Sequence, residues 1–261
     1  MGNALRLKLP FDLELRSAEA EPDWGYLLPP DRLLALGRER ASAYRDAEPF
    51  PHAVFDDFLP RTVVDEALAV FPGEEDPYWD TKKKPKAFKQ DSRRTDKELL
   101  LPPFLRRLLW ELNSSAFLLF LSELTGIEGL VSDPYLEGGG IHQIPRGGYL
   151  KIHADFNRHP LTGLERRLNV LIYLNRNWRK SYGGALELWS PDMQTCVQSI
   201  APIAGRCVVI ETGDTSFHGH PDPLACPKDR TRKSLALYYY TAAPAGGEVH
   251  TTRYQKRPQE A

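Results

Sequence analysis

Residues able to build a metal centre lie in three separated segments of the chain: His153-Ala154-Asp155, Phe217-His218-Gly219-His220-Pro221 and Arg232-Lys233-Ser234. In a β-strand, side chains alternate faces, so His153 and Asp155 project the same way. A histidine from far downstream completes a set of two imidazoles and one carboxylate. Such a set on one face of a metal leaves the remaining positions open, which suits a non-haem Fe(II) site where a cosubstrate and O2 must both reach the ion. His218 and His220 share strand parity, so alternation alone leaves both as distal ligands. Arg232 adds a fixed cation suited to gripping a carboxylate in bidentate fashion.

The elements that must position these residues are read from pattern. Asp31 to Arg45, following Pro29-Pro30, predicts a helix. His52 to Leu59 reads as a short strand entering a turn at Pro60, and Arg61 to Phe71 has apolar residues at helical spacing. Asp76 to Glu98 changes character, with Lys82-Lys83-Lys84-Pro85-Lys86 and Arg93-Arg94 among Tyr78, Trp79 and Phe88. This basic stretch is read as a solvated loop, with a lid over substrate as the sharper hypothesis. Phe104 to Leu112 and Ser114 to Leu124 predict two helices, the second stopped by Gly126. From Leu130 the pattern becomes short β segments rich in Val, Ile, Leu and Tyr. Arg167 to Asn175 alternates, with Leu168, Val170, Ile172 and Leu174 on one face and Asn169, Leu171, Tyr173 and Asn175 on the other. Cys207 to Ile210 and Leu235 to Tyr240 are further strands. The fold class expected is mainly β with helical support: a sandwich or jelly roll with N-terminal helices packed on one sheet. The organisation expected is an N-terminal extension (1–50), a helical support region (51–129) holding the basic loop (76–98), a catalytic core (130–245) and a C-terminal tail (246–261), integrated as one domain.

Composition narrows the function class. The chain has 261 residues, enough for one large mixed domain, and a formal net charge of −1, so no global field favours nucleic acid. Cys196, Cys207 and Cys226 have no CxxC spacing, which argues against a zinc knuckle or disulfide scaffold and fits a reducing cytosol. No apolar run reaches membrane-spanning length, and Met1 to Leu9 lacks the apolar core of a signal peptide. A soluble cytoplasmic protein with no membrane partner is expected.

Five ordered pieces carry a resemblance: Gly147 to Asp155, Arg167 to Asn175, Gly183-Gly184-Ala185-Leu186-Glu187-Leu188-Trp189, His218, and Arg232 to Tyr240. From about Leu136 to Tyr240 the chain resembles Fe(II)/2-oxoglutarate-dependent dioxygenases of the prolyl-4-hydroxylase type. The resemblance implies a distorted double-stranded β-helix, with Fe(II), 2-oxoglutarate and O2 as cofactors. It implies His153 and Asp155 as proximal ligands and His218 as the distal one, since the distal histidine precedes a glycine-containing turn with a proline soon after. Arg232 and Ser234 would then hold the far carboxylate of 2-oxoglutarate with the Tyr173 hydroxyl, while Leu171, Leu186 and Asn169 wall the cosubstrate. Gln143 stands where relatives often carry a tyrosine that contacts 2-oxoglutarate. Asn157, His159 and His220 are the candidate substrate contacts. Because Asp155 is retained, hydroxylation is favoured over halogenation.

The activity expected is hydroxylation of an unactivated C–H in a small molecule, amino acid or peptide, coupled to decarboxylation of 2-oxoglutarate to succinate and CO2. Segments around Tyr173 to Trp189 look most like oxygen-sensing prolyl hydroxylases, so protein prolyl hydroxylation is the first alternative. A non-enzymatic jelly-roll binding module and a cupin-type metalloenzyme are the others. An intact ligand set speaks against the first of these, and Arg232 has no use in the second.

Overall fold

The structure is a computed structural model and describes residues 25–77, 79, 89–90, 93–95, 97–242 and 248–260. In chain order its helices and strands are α1 (Pro30–Arg45), β1 (His52–Phe55), α2 (Arg61–Ala69), β2 (Lys89–Gln90), β3 (Arg93–Thr95), α3 (Pro103–Leu112), α4 (Ser115–Thr125), β4 (Val131–Ser132), β5 (Gly140–Ile144), β6 (Tyr149–Ala154), β7 (Glu165–Tyr173), β8 (Leu186–Trp189), β9 (Cys196–Ile200), β10 (Cys207–Glu211), β11 (His218–His220), β12 (Arg232–Thr241) and β13 (Arg253–Tyr254). Among the described residues, the larger sheet runs β1-β10-β7-β12-β5-β3, with β4 also on β12. The smaller runs β13-β6-β11-β8-β9, with β2 also on β6. All their pairings are antiparallel. These two sheets form the jelly roll expected, with helices on one of them.

Alternation in β7 builds both layers of the core. Leu168, Val170, Ile172 and Leu174 pack outward with Leu235, Leu237 and Tyr239 of β12 against the helices. Tyr173 turns inward with Leu186, Leu188, Ile200, Val208 and Ile210 from β8, β9 and β10. The helices have clear local causes. Ser114 caps α4 by accepting from the Phe117 amide, and Gly126 ends it in the left-handed region. The Tyr239 hydroxyl donates to the Leu112 carbonyl at 2.6 Å and so ties the end of α3 to β12.

Phe120 of α4 is fully buried, with its ring 5.8 Å from Phe55, 5.7 Å from Phe58 and 5.3 Å from Phe117. Phe120→Ala removes this contact and leaves a cavity, and is expected to cost about 3–5 kcal/mol. Denaturant unfolding monitored by circular dichroism checks it. A loss below about 1 kcal/mol would show that the helical layer collapses into the gap.

Candidate active site

His153, Asp155 and His218 come together although they stand on different strands or beyond a strand end. One ligand-type atom from each lies within 4.8 Å of the others. His153 is directly opposite His218 across the β6–β11 ladder, and their ring centroids are 4.7 Å apart. His153 Nε2 is 3.5 Å from Asp155 Oδ1, and His218 Nε2 is 3.5 Å from Asp155 Oδ2.

Proton bookkeeping makes these atoms metal ligands in waiting. His153 Nδ1 lies 2.8 Å from the Lys151 carbonyl oxygen, and His218 Nδ1 lies 2.9 Å from that of Ser216. A carbonyl oxygen only accepts, so each Nδ1 carries a proton, and in the neutral ring each Nε2 is left with a lone pair turned to the cluster. Burial pushes the His218 imidazole down to about 4, which keeps it neutral. Burial works to raise the Asp155 carboxyl, but the charges beside it, the Arg166 guanidinium first, outweigh it and hold it well below the usual carboxylate range. Two lone pairs and an ionised carboxylate therefore face one another, an arrangement that a cation completes. The donor set fits Fe(II).

Beside the cluster lies a cavity of about 300 Å³. Its lining includes all three residues, together with Asn169, Leu171, Leu186, His220, Arg232 and Ser234. Arg232 opens β12 and is 4% exposed. Its Nε donates to the Gly184 carbonyl at 2.8 Å, and its Nη2 donates to the Tyr173 hydroxyl at 3.3 Å. Gly184 has φ +73°, and a Cβ there would sit 2.5 Å from Leu224 Cδ2 and 3.0 Å from Arg232 Cδ, so glycine makes room for the guanidinium stem. A wider surface groove of about 740 Å³ lies among Arg32, Arg61, Arg176 and Gly205, but it contains none of the clustered ligands, so the smaller cavity is the candidate site.

Asn169 lies closer to the metal cluster than a cosubstrate wall requires. Its Nδ2 is 3.3 Å from Asp155 Oδ2 and 3.5 Å from His218 Nε2. Three sequence-based expectations are corrected. Gln143 does not line the cavity: it is on the other face of β5, its Nε2 donating to Thr231 Oγ1 at 3.0 Å. His142 and Ile144 are the β5 residues that face the cavity. Asn157 turns away to the C-terminal segment, donating to the Glu248 carbonyl at 2.7 Å. His159 is a buried structural residue, with Nε2 3.2 Å from Asp133 Oδ1 and Nδ1 accepting the amides of Leu161 and Thr162. The lid hypothesis for the basic stretch falls largely outside the described residues. Of that stretch β2 lies on β6 and β3 on β5.

Two residues beside the cluster escaped the sequence reading. Tyr254 of β13 packs against His153 with its ring tilted by 40° and the ring centroids 5.5 Å apart. Arg166 is buried, donates from Nη2 to Asp155 Oδ2 at 2.8 Å, and lies 4.6 Å from the Phe156 ring centroid and 3.5 Å from that of Tyr238. Aromatic faces on both contacts hold the guanidinium where it fixes the carboxylate. Arg166→Met is expected to weaken Fe(II) binding by about 10-fold to 100-fold, measured by anaerobic titration, with thermal unfolding as the control for folding. Unchanged affinity in a folded variant would remove this role.

The family model of the 2OG-Fe(II) oxygenase superfamily matches residues 139–240. A comparison with curated proteins gave no match. Among solved structures, a prolyl-4-hydroxylase from Pseudomonas putida superposes with a TM-score of 0.56 at 17% identity, covering 80% of this chain and 99% of that one. A prolyl hydroxylase from Trichoplax adhaerens, in complex with a hypoxia inducible factor peptide fragment, gives 0.59 at 17% identity, covering 80% and 91%. HygX from Streptomyces hygroscopicus, with nickel, 2-oxoglutarate and hygromycin B bound, gives 0.52 at 12% identity, covering 86% and 99%. At these identities the likeness is one of fold.

Proposed function

We propose that the protein, whose residues 139–240 match the family model of the 2OG-Fe(II) oxygenase superfamily, hydroxylates an unactivated C–H bond of a small molecule, amino acid or peptide. The observation that carries this reading is one cavity with a preformed two-histidine, one-carboxylate cluster and the buried Arg232–Tyr173 pair both on its walls or directly behind them. The reaction balances as substrate C–H, 2-oxoglutarate and O2 going to substrate C–OH, succinate and CO2. Bound iron with its cosubstrate supplies the oxidant; the protein binds, orients and keeps water out.

Each residue has a part in this. His153 Nε2, Asp155 and His218 Nε2 hold the iron, and the Lys151 and Ser216 carbonyls fix the ring tautomers. Arg232 receives the far carboxylate of 2-oxoglutarate, steadied by the Gly184 carbonyl and the Tyr173 hydroxyl. Ser234, on the same face of β12 as Arg232, lies beside it, and Leu171 and Leu186 form the apolar wall. Asn169 donates to Asp155 and so orients a ligand. His220, opposite Leu150 in the β6–β11 ladder, also lines the cavity and is a candidate contact for a bound ligand.

Anaerobic titration with Fe(II) and 2-oxoglutarate tests the reading. A visible charge-transfer band of the chelate, together with succinate release in air, is the expected result. Metal binding with no effect of 2-oxoglutarate would overturn it.

A further inference from the structure

Arg94, Glu137 and Gly138 of the cavity lining have no role so far, and they lie with Phe156 and Tyr238, the aromatic partners of Arg166. Of the cations on the wall, Arg166 is committed to Asp155 and Arg232 belongs to the cosubstrate reading. Arg94 remains. It sits on β3, directly across the ladder from His142 of β5, which is in turn paired with Ser234 of β12. Its guanidinium fills the space that a side chain at position 138 would take. A Cβ on Gly138 would lie 3.2 Å from Arg94 Nη1, 3.4 Å from Tyr238 Cε2 and 3.8 Å from Phe156 Cε1. Gly138 also has φ +78°, which glycine adopts without strain. The missing side chain therefore makes a cradle, closed by the Tyr238 hydroxyl donating to the Gly138 carbonyl at 3.1 Å.

The cradle holds no counter-charge in contact with Arg94 among the described residues. Among the described residues, no hydrogen bond or ion pair of the Arg94 guanidinium is present, although Arg94 is half-buried on the cavity wall. Glu137, also half-buried, lines the same cavity and forms no ion pair among the described residues. Charges shielded from water are normally matched. Here a cation and an anion border one space without meeting each other. The cavity, at about 300 Å³, is at the small end for ligand sites and must also admit the cosubstrate.

We infer that the substrate is a small zwitterion of the amino-acid type, whose carboxylate is received by Arg94 and whose ammonium faces Glu137. This rests on the oxygenase reading and narrows it. A residue inside a peptide brings neither charge, so the inference sets a free amino acid against an internal peptide site. Phe156 and Tyr238 then flank the carboxylate end, and the carbon chain is directed toward the metal cluster between Asp155 and His218.

The test uses the full chain loaded anaerobically with Fe(II) and 2-oxoglutarate. The proteinogenic amino acids are added singly at millimolar concentration, each beside its carboxamide, and perturbation of the chelate band is followed. At least one amino acid should shift the band and stimulate succinate release in air. Its carboxamide, and the acid with Arg94→Met, should bind about 10-fold to 100-fold more weakly. Glu137→Gln should weaken the same amino acid, and thermal unfolding confirms that each variant is folded. No response to any amino acid, equal binding of acid and carboxamide, or unchanged binding in folded Arg94→Met would overturn the inference while leaving the chelate band in place. Loss of the band in the parent protein would instead remove the oxygenase reading, and the inference with it.

Discussion

His218→Ala is expected to lower Fe(II) affinity by more than about 100-fold, whereas His220→Ala stays within about 10-fold of the parent protein. Both histidines lie on β11, both are buried and both line the cavity. They differ in register. His218 is opposite His153, and a bulge then shifts the ladder so that His220 is opposite Leu150. Gly219 makes this path available, because a Cβ there would sit 2.8 Å from the Lys151 carbonyl oxygen and 2.9 Å from that of Leu150. Only His218 brings Nε2 to Asp155. Losing a direct ligand removes more than the 10-fold to 100-fold that an outer partner costs. Anaerobic equilibrium dialysis with metal analysis measures both variants. Retained iron in His218→Ala with loss in His220→Ala would reverse the assignment.

Arg232→Ala is expected to raise the 2-oxoglutarate requirement by about 100-fold, measured as the KM for 2-oxoglutarate in succinate release. A bidentate, charge-assisted pair with a carboxylate in a buried site is worth about 3 kcal/mol, and every 1.4 kcal/mol is about tenfold. Arg232→Lys should recover only part of this. Its ammonium lacks the planar fork that lets the guanidinium hold Gly184, Tyr173 and a carboxylate together. Tyr173→Phe removes one neutral donor and should cost about fivefold. Burial lowers the Arg232 guanidinium from its ordinary value, but arginine stays charged across the working range, so these effects should not vary between pH 6 and pH 9. A KM unchanged in folded Arg232→Ala would place the cosubstrate carboxylate elsewhere.

Much of this site was legible because β-strand periodicity encodes it. The alternation in Arg167 to Asn175 separates Leu168, Val170, Ile172 and Leu174, which meet the helical core, from Asn169 and Leu171, which line the cavity, and Tyr173, which packs behind it. The helices were legible through spacing and caps, Gly126 being the clearest stop. What stayed hidden lies where alternation is interrupted. Arg166 has the parity of Leu168 and Val170, so a regular strand would turn it toward the helices. The ladder instead pairs Leu168 with Tyr239 and Arg166 with Tyr240, and the extra residue, Arg167, reverses the face. In β5 the apolar residues do not share a parity: Ile141 joins the helical core and Ile144 the cavity. Nothing local then says whether His142 or Gln143 turns inward. Tyr254 reaches His153 through pairing of β13 with β6, a contact across about a hundred residues that no local pattern carries.

The carbonyl locks on the two imidazoles have a consequence for how the protein comes by its metal. With both tautomers set and the carboxylate ionised before any ion arrives, loading is a binding event on a finished fold. Divalent affinities for such nitrogen and oxygen donors rise from manganese through iron, cobalt and nickel to copper, and the identity of the three donors does not reverse that order. Occupancy by iron is therefore expected to depend on metal supply as well as on the site. Protein purified over immobilised nickel is then expected to need stripping and anaerobic reloading with iron before assay.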